Sequence, residues 1–295
     1  MLHADSARNR LLGIGLISLT FLCFALLDAG AKWLVRTLPV VEVVWLRFLL
    51  QVALSGAVLL PRQGMALLRT KRPRLQAARA ALLALMTGMN FWALQFLQLT
   101  EVLAIMFSTP LLIALLAAPL LGERLDAARW AAIAAGFAGV LAIVRPGTQG
   151  FHPALLIVLA NALMYALFNL VTRRLAAYDS PAASQFLSGL GATLAITPFA
   201  LAAWQAPPSA LEWGVAAAIG AAGGLGHYLL ALAHRYAPAS SLAPFMYQQI
   251  VYTVALGYLV FGDLPQAAVL AGAAVVIASG LWLIWRERQA TRPQG

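Results

Sequence analysis

Ten apolar runs, each about 20 residues long, follow one another along this 295-residue chain. About 20 is the length a helix needs to cross the hydrocarbon core of a bilayer, so roughly 200 residues would lie in lipid. A soluble helical bundle fails on the length and number of these runs. Hydrophobic residues make up 62% of the chain and charged ones 10%, against roughly 25% charged in an ordinary soluble domain. So few polar side chains could not cover a soluble protein of this size, and mean hydropathy stands at +0.83. Disorder is excluded because it requires low hydrophobicity and many charges. The expected fold class is an all-α, multi-pass membrane protein. Its first run follows Arg8 and Arg10 as a signal peptide would. It continues to about Gly30 with no early small-x-small cleavage site, and it reads as a retained helix.

Prolines punctuate the runs, among them Pro39, Pro61, Pro73, Pro146, Pro181 and Pro265. The expected spans are 11–31, 41–60, 79–97, 102–121, 128–144, 153–172, 182–203, 211–233, 240–261 and 266–285. With the N-terminus inside, 16 of the 20 Lys and Arg residues fall in cytoplasmic segments, Arg79 among them, and Lys32, Arg36 and Arg145 fall outside. Arg47 lies within the second span. By the positive-inside rule, this split puts both termini in the cytoplasm, as an even number of helices requires. The net charge of +10 is therefore an orientation signal and an attraction to anionic lipid, and no nucleic-acid groove is present. The expected location is the bacterial inner membrane.

Cofactor and metal chemistry find no support. The histidines at 3, 152, 227 and 234 have no zinc spacing, and no phosphate-binding Gly-x-x-x-x-Gly-Lys-[Ser/Thr] occurs. The single cysteine, Cys23, excludes an intrachain disulfide and gives no sign of redox compartment. No cofactor is expected.

The halves repeat at a spacing near 140. Leu121-Gly122-Glu123-Arg124 after the fourth span matches Phe261-Gly262-Asp263-Leu264 after the ninth. Phe24-Ala25-Leu26-Leu27-Asp28 with Lys32 matches Tyr165-Ala166-Leu167-Phe168-Asn169 with Arg173. Five helices per half is odd, so the second half enters the membrane inverted. Such inverted repeats mark many secondary transporters, whose sites lie between the repeats near the midplane. The expected division is 1–147 and 148–295.

Arg47-Phe48, Thr100-Glu101-Val102-Leu103-Ala104-Ile105, Pro110, Leu121-Gly122-Glu123-Arg124, Gly136, Gly139 and Arg145-Pro146-Gly147 together resemble an EamA repeat. EamA domains belong to the drug/metabolite transporter superfamily. The resemblance spans nearly the whole chain as two copies. The second copy diverges, with Asp263 for the glutamate and Ile250 near the place of Pro110. The layout is similar to YddG-type amino-acid exporters and related metabolite permeases. That implies a 5+5 inverted fold, a central cavity and alternating access.

Polar residues inside lipid are costly, about 2.5–3.5 kcal/mol for a charge at a helix centre, so they single out candidate sites. Asp28 and Lys32 share a face of the first helix, and Arg47 lies at similar depth in the second. They read either as a charged latch, for gating or proton coupling, or as a structural ion pair between helices. Met86 and Asn90 lie at helical spacing, and Trp92 alone of the eight tryptophans sits away from span ends. Asn161 and Tyr165 form a stripe, His227 follows a glycine-rich stretch, and Gln248 and Tyr252 follow Pro244. Each reads as cavity lining or as interhelical hydrogen bonding, the latter worth about 0.6 kcal/mol on average.

The expected function is a secondary transporter of a small metabolite, with amino-acid export first and a nucleobase, cofactor or drug-like cargo as the alternative. Asn, Gln and Tyr supply hydrogen bonds without fixed charge, which suits a weak carrier. An embedded enzyme would need paired carboxylates, a nucleophile with its base or metal ligands, and Asp28 is the lone intramembrane carboxylate. A channel would show a repeated filter. One chain suffices to wall a cavity, and a dimer stays open.

Overall fold

The computed structural model describes residues 7–121, 127–148, 151–237 and 242–290. All regular structure among them is helical. The helices are α1 (Ala7–Leu34), α2 (Val40–Gln63), α3 (Pro73–Leu94), α4 (Leu99–Met106), α5 (Thr109–Leu121), α6 (Ala127–Val144), α7 (Ala154–Leu175), α8 (Pro181–Ala202), α9 (Ala210–Tyr236), α10 (Gln249–Phe261) and α11 (Ala267–Ala290). A 3₁₀ turn over Ala243–Gln248 leads into α10. Among the described residues, nine helical segments are long and apolar enough to cross a membrane, with Leu99–Leu116 counted as one.

The expected span 240–261 is not one of the nine. Its described part is a 3₁₀ turn carrying Pro244, followed by an α-helix of 13 residues. The expected span 102–121 is interrupted too, because α4 ends at Met106 and α5 starts at Thr109. Pro110 has no N–H to return to the Met106 carbonyl four residues earlier. The Thr109 hydroxyl donates to that carbonyl instead, at 2.6 Å. The fourth helical stretch of each half is thus broken at nearly matching positions.

Helix α3 starts six residues before its expected boundary. Pro73 occupies its first turn, where a missing N–H costs nothing. The segment stays helical because Gln76 and Arg79 are buried against α8. Both Gln76 Nε2 and Arg79 Nη1 donate to the Ser184 carbonyl, at 2.9 Å and 2.8 Å. Arg79, expected among the loop cations, is therefore an interior residue, only 5% exposed.

Packing partners interchange between the halves: α1 lies on α9 as α3 lies on α7, and α2 lies on α9 as α8 lies on α3. Helices α6 and α11 pair with each other. At their crossing a Cβ on Gly139 would lie 2.8 Å from the Gly272 carbonyl, and one on Gly272 2.6 Å from the Gly139 carbonyl. Backbones meet here with no side chain between them. Phe48, Phe91 and Leu34 are among the fully buried core residues. Leu194, Phe199, Val251 and Leu259 lie exposed on helix faces, as a hydrocarbon solvent permits. Trp45 Nε1 donates to Thr197 at 2.9 Å, and its ring meets Trp204, which in turn meets Trp213. This aromatic group marks one end of the bundle.

Candidate functional site

Lys32 and Asp28 stand one turn apart on α1, yet the structure separates them. Lys32 is 7% exposed, and its Nζ lies 2.7 Å from Asp263 Oδ2 and donates to the Leu97 carbonyl at 2.9 Å. Lys32 and Arg36 also lie over the Phe261 ring, at 5.0 Å and 4.6 Å from its centroid. Asp263 is brought there by the end of α10. Gly262, at φ 70°, turns the chain left-handed and lets the Asp263 N–H return to the Gly257 carbonyl at 3.0 Å. The single latch expected of Asp28, Lys32 and Arg47 is therefore corrected to two separate groups. The reason is that the C-terminal turn of α1 packs against the turn after α10, whereas Asp28 faces α3.

Asp28 is half-buried and accepts from Asn90 Nδ2 of α3 at 3.1 Å. Arg47 of α2 is its electrostatic neighbour without a direct hydrogen bond. Arg47 is 5% exposed, and its Nε and Nη1 have no hydrogen-bond partner. Gln51, one turn along α2, has an equally unpartnered Oε1. Room for both comes from α9: a Cβ on Gly223 would lie 3.0 Å from Gln51 Oε1 and 3.6 Å from Arg47 Nη2. His227, one turn after Gly223, has its ring 5.1 Å from that of Phe24. Asp28, Arg47, Asn90 and His227 thus belong to one interior region where α1, α2, α3 and α9 meet.

Met86 is half-buried one turn from Asn90. Trp92 does not join them. Two positions beyond Asn90 it points roughly 200° around the helix, is 40% exposed, and pairs with Phe96, whose ring stacks on His152.

A second polar group surrounds the break between α4 and α5. Asn161 is 2% exposed, its Nδ2 lies 3.7 Å from Met106 Sδ, and its Oδ1 is unpartnered. Ser108 Oγ and Tyr247 Oη are also buried and unpartnered, and the Tyr247 ring lies edge-on to Phe107. Tyr165 is half-buried, stacks on Phe168, and its carbonyl accepts from Asn169. Gln248 exchanges hydrogen bonds with Ser18 of α1, at 2.8 Å and 3.2 Å, and Tyr252 is half-buried one turn further.

Sequence reasoning missed Gln51 and Arg79, whereas Tyr247 belongs to the polar run after Pro244. Gln51 carried a signal, since it follows Arg47 by one turn. For Arg79 the signal was Pro73 as a helix start, which puts Gln76, Arg79, Ala80 and Leu83 on one face. Arg79 is spent on structure: Nε donates to Thr172 Oγ1 at 2.8 Å, Nη1 to Ser188 Oγ at 2.5 Å, and the group lies over the Phe168 ring.

Comparison with known proteins adds relatives over the whole length. The model of the EamA-like transporter family matches residues 11–145 and 152–286. An S-adenosylmethionine uptake transporter of Rickettsia felis is 28% identical over 97% of this chain and 97% of its own. A riboflavin transporter of Rhizobium johnstonii is 29% identical over 92% of this chain and 90% of its own. The pseudopaline exporter CntI of Pseudomonas aeruginosa is 28% identical over 90% and 94%. One solved structure, 22% identical, covers 98% of this chain and 100% of its own with a TM-score of 0.64, which shows the fold.

Proposed function

The chain belongs to the EamA-like transporter family as a multi-pass protein of the bacterial inner membrane, and from that premise we propose that it carries a small metabolite by alternating access. Ten spans, two inverted halves at 1–147 and 148–295, and both termini in the cytoplasm complete the reading. The 3₁₀ turn and α10 together make the ninth span in chain order, which brings the number of spans to ten. The interchange of helix partners between the halves supports the inversion. The two broken helices are the kind that border binding sites in carriers. No enzymatic step is assigned.

One observation carries the site: Arg47 is buried with two N–H groups unpartnered, beside Asp28 and Asn90. A guanidinium buried without its acceptors is costly unless some state of the cycle supplies them. A substrate carboxylate or phosphate would supply such acceptors, with Asp28 and Asn90 receiving a cationic or N–H group of the same molecule. Met86, His227 and Gln51 border that position. Asn161, Tyr165, Gln248 and Tyr252 line the path beside the broken helices. Trp92 faces outward and is left out.

Access is gated by charge at the outer end. Lys32–Asp263 joins the halves there, together with Arg145 Nη1 on Gln266 at 2.6 Å. Arg173, the repeat counterpart of Lys32, is exposed at the opposite end. This asymmetry supports an outward-closed state.

The relatives favour cargo beyond plain amino acids, because their names give S-adenosylmethionine, riboflavin and pseudopaline, and both uptake and export. Amino-acid export is the second reading, favoured by the pairing of a carboxylate with a guanidinium. Proteoliposomes offered labelled S-adenosylmethionine, riboflavin and amino acids test both. One cargo should show counterflow stimulated by unlabelled compound. Arg47→Ala should cut that flux by about tenfold or more, the worth of a charge-assisted contact, while inserting normally. A variant that carries at the parent rate would remove Arg47 from the site, and uptake without counterflow would mean a pore.

A further inference from the structure

A cavity of about 720 Å³ opens at the end of the bundle where α3 begins and α7 ends. Five cations line it: Lys71, Arg72 and Arg74 around the start of α3, and Arg173 and Arg174 in the last turn of α7. Among the described residues no carboxylate lies within ion-pair distance of any of the five. The nearby Asp179 is engaged elsewhere, accepting from Thr70 Oγ1 and from the Lys71 N–H. Orientation of the protein needs cations somewhere in these loops, not five around one concavity. Like charges so confined repel one another, and an anion removes the cost.

We propose that this cavity holds the phosphodiester headgroup of an anionic phospholipid. The shared chemistry, phosphate oxygens among guanidinium and ammonium groups, would also suit free phosphate. The surroundings favour lipid. Tyr178 lines the cavity, is 40% exposed, and carries the Arg72 guanidinium 4.5 Å above its ring, an arrangement typical of headgroup depth. The face of α3 rising from the cavity is lipid-exposed at Leu85. The bilayer therefore presents headgroups at this opening directly, and anionic leaflets attract basic clusters of this kind. The site has consequences for transport. It joins the α2–α3 connection of the first half to the end of α7 in the second, so its occupant ties the halves together at one end.

Native mass spectrometry of the full chain in detergent tests this and does not depend on which side of the membrane the cavity faces. The triple variant Arg74→Ala, Arg173→Ala, Arg174→Ala is compared with Arg62→Ala, Arg69→Ala, Arg235→Ala, which removes equal charge from exposed positions outside the cavity. Phosphatidylglycerol, phosphatidylethanolamine and inorganic phosphate are the probes. The parent and the control should retain phosphatidylglycerol over phosphatidylethanolamine, and the cavity variant should bind it at least about tenfold more weakly. Inorganic phosphate at millimolar levels should not displace it. Equal loss in both variants would reduce the effect to overall charge and overturn the site. Displacement by inorganic phosphate would make it a free-anion site and overturn the lipid assignment. Failure of metabolite transport in proteoliposomes would leave this binding result standing.

Discussion

Lys32 and Asp263 are separated by most of the chain, yet they meet as a pair with side chains 9% and 25% exposed. A pair at this depth lies between the negligible surface ion pair and the fully buried one, so losing either partner should cost about 2 kcal/mol. Lys32→Met and Asp263→Asn should each lower the melting temperature of purified protein, and the double variant should fall little further than either single one. Strictly additive losses would show that the two side chains act independently. From sequence, Lys32 looked like a partner for Asp28 because helical spacing is local, whereas Gly262 signals a turn but nothing local pairs Asp263 with a residue 231 positions away. The repeat motif did single out Asp263, as the counterpart of Glu123, and Glu123 lies outside the described residues. Arg47 was legible because a charge in an apolar run is conspicuous. Its unpartnered state was not, since that depends on the glycines of α9.

At the scale of elements, the runs and their prolines gave most helices to within a few residues. The two interrupted helices were misread as continuous. Hydropathy cannot see a break, because Met106, Phe107 and Ser108 are no more polar than an ordinary apolar helix allows. Pro110 was the available signal, and the Thr109 hydroxyl that caps Met106 was its companion. Pro110→Ala restores the N–H that the Met106 carbonyl lacks. We expect this variant to match the heat stability of the parent, since Pro110 stands in the first turn of α5, where a missing N–H costs little, and to transport several-fold more slowly because α4 and α5 can then join. Unchanged flux would make the break a packing detail. The start of α3 teaches the converse lesson: the cations at 71–79 read as loop, but Gln76 and Arg79 find their acceptors on α8, and tertiary bonds extend the helix.

For the whole molecule, composition indicates the class, and the charge distribution predicts an orientation that can be measured. In a Cys23→Ser background, Arg62→Cys should react with a membrane-impermeant maleimide only after the cells are opened. Trp204→Cys should react in cells whose outer membrane alone has been permeabilised. The opposite pattern would invert the proposed topology. The substrate stayed illegible, because relatives of nearly equal identity are named for dissimilar compounds.

The meeting of Gly139 with Gly272 bears on how the two halves can move. Interlocked backbones resist sliding, so α6 and α11 form a stator, a keel along which the halves are fastened. Under the proposed alternating access this seam is where the halves would move least, so neighbours in the bilayer could grip the keel without hindering the stroke.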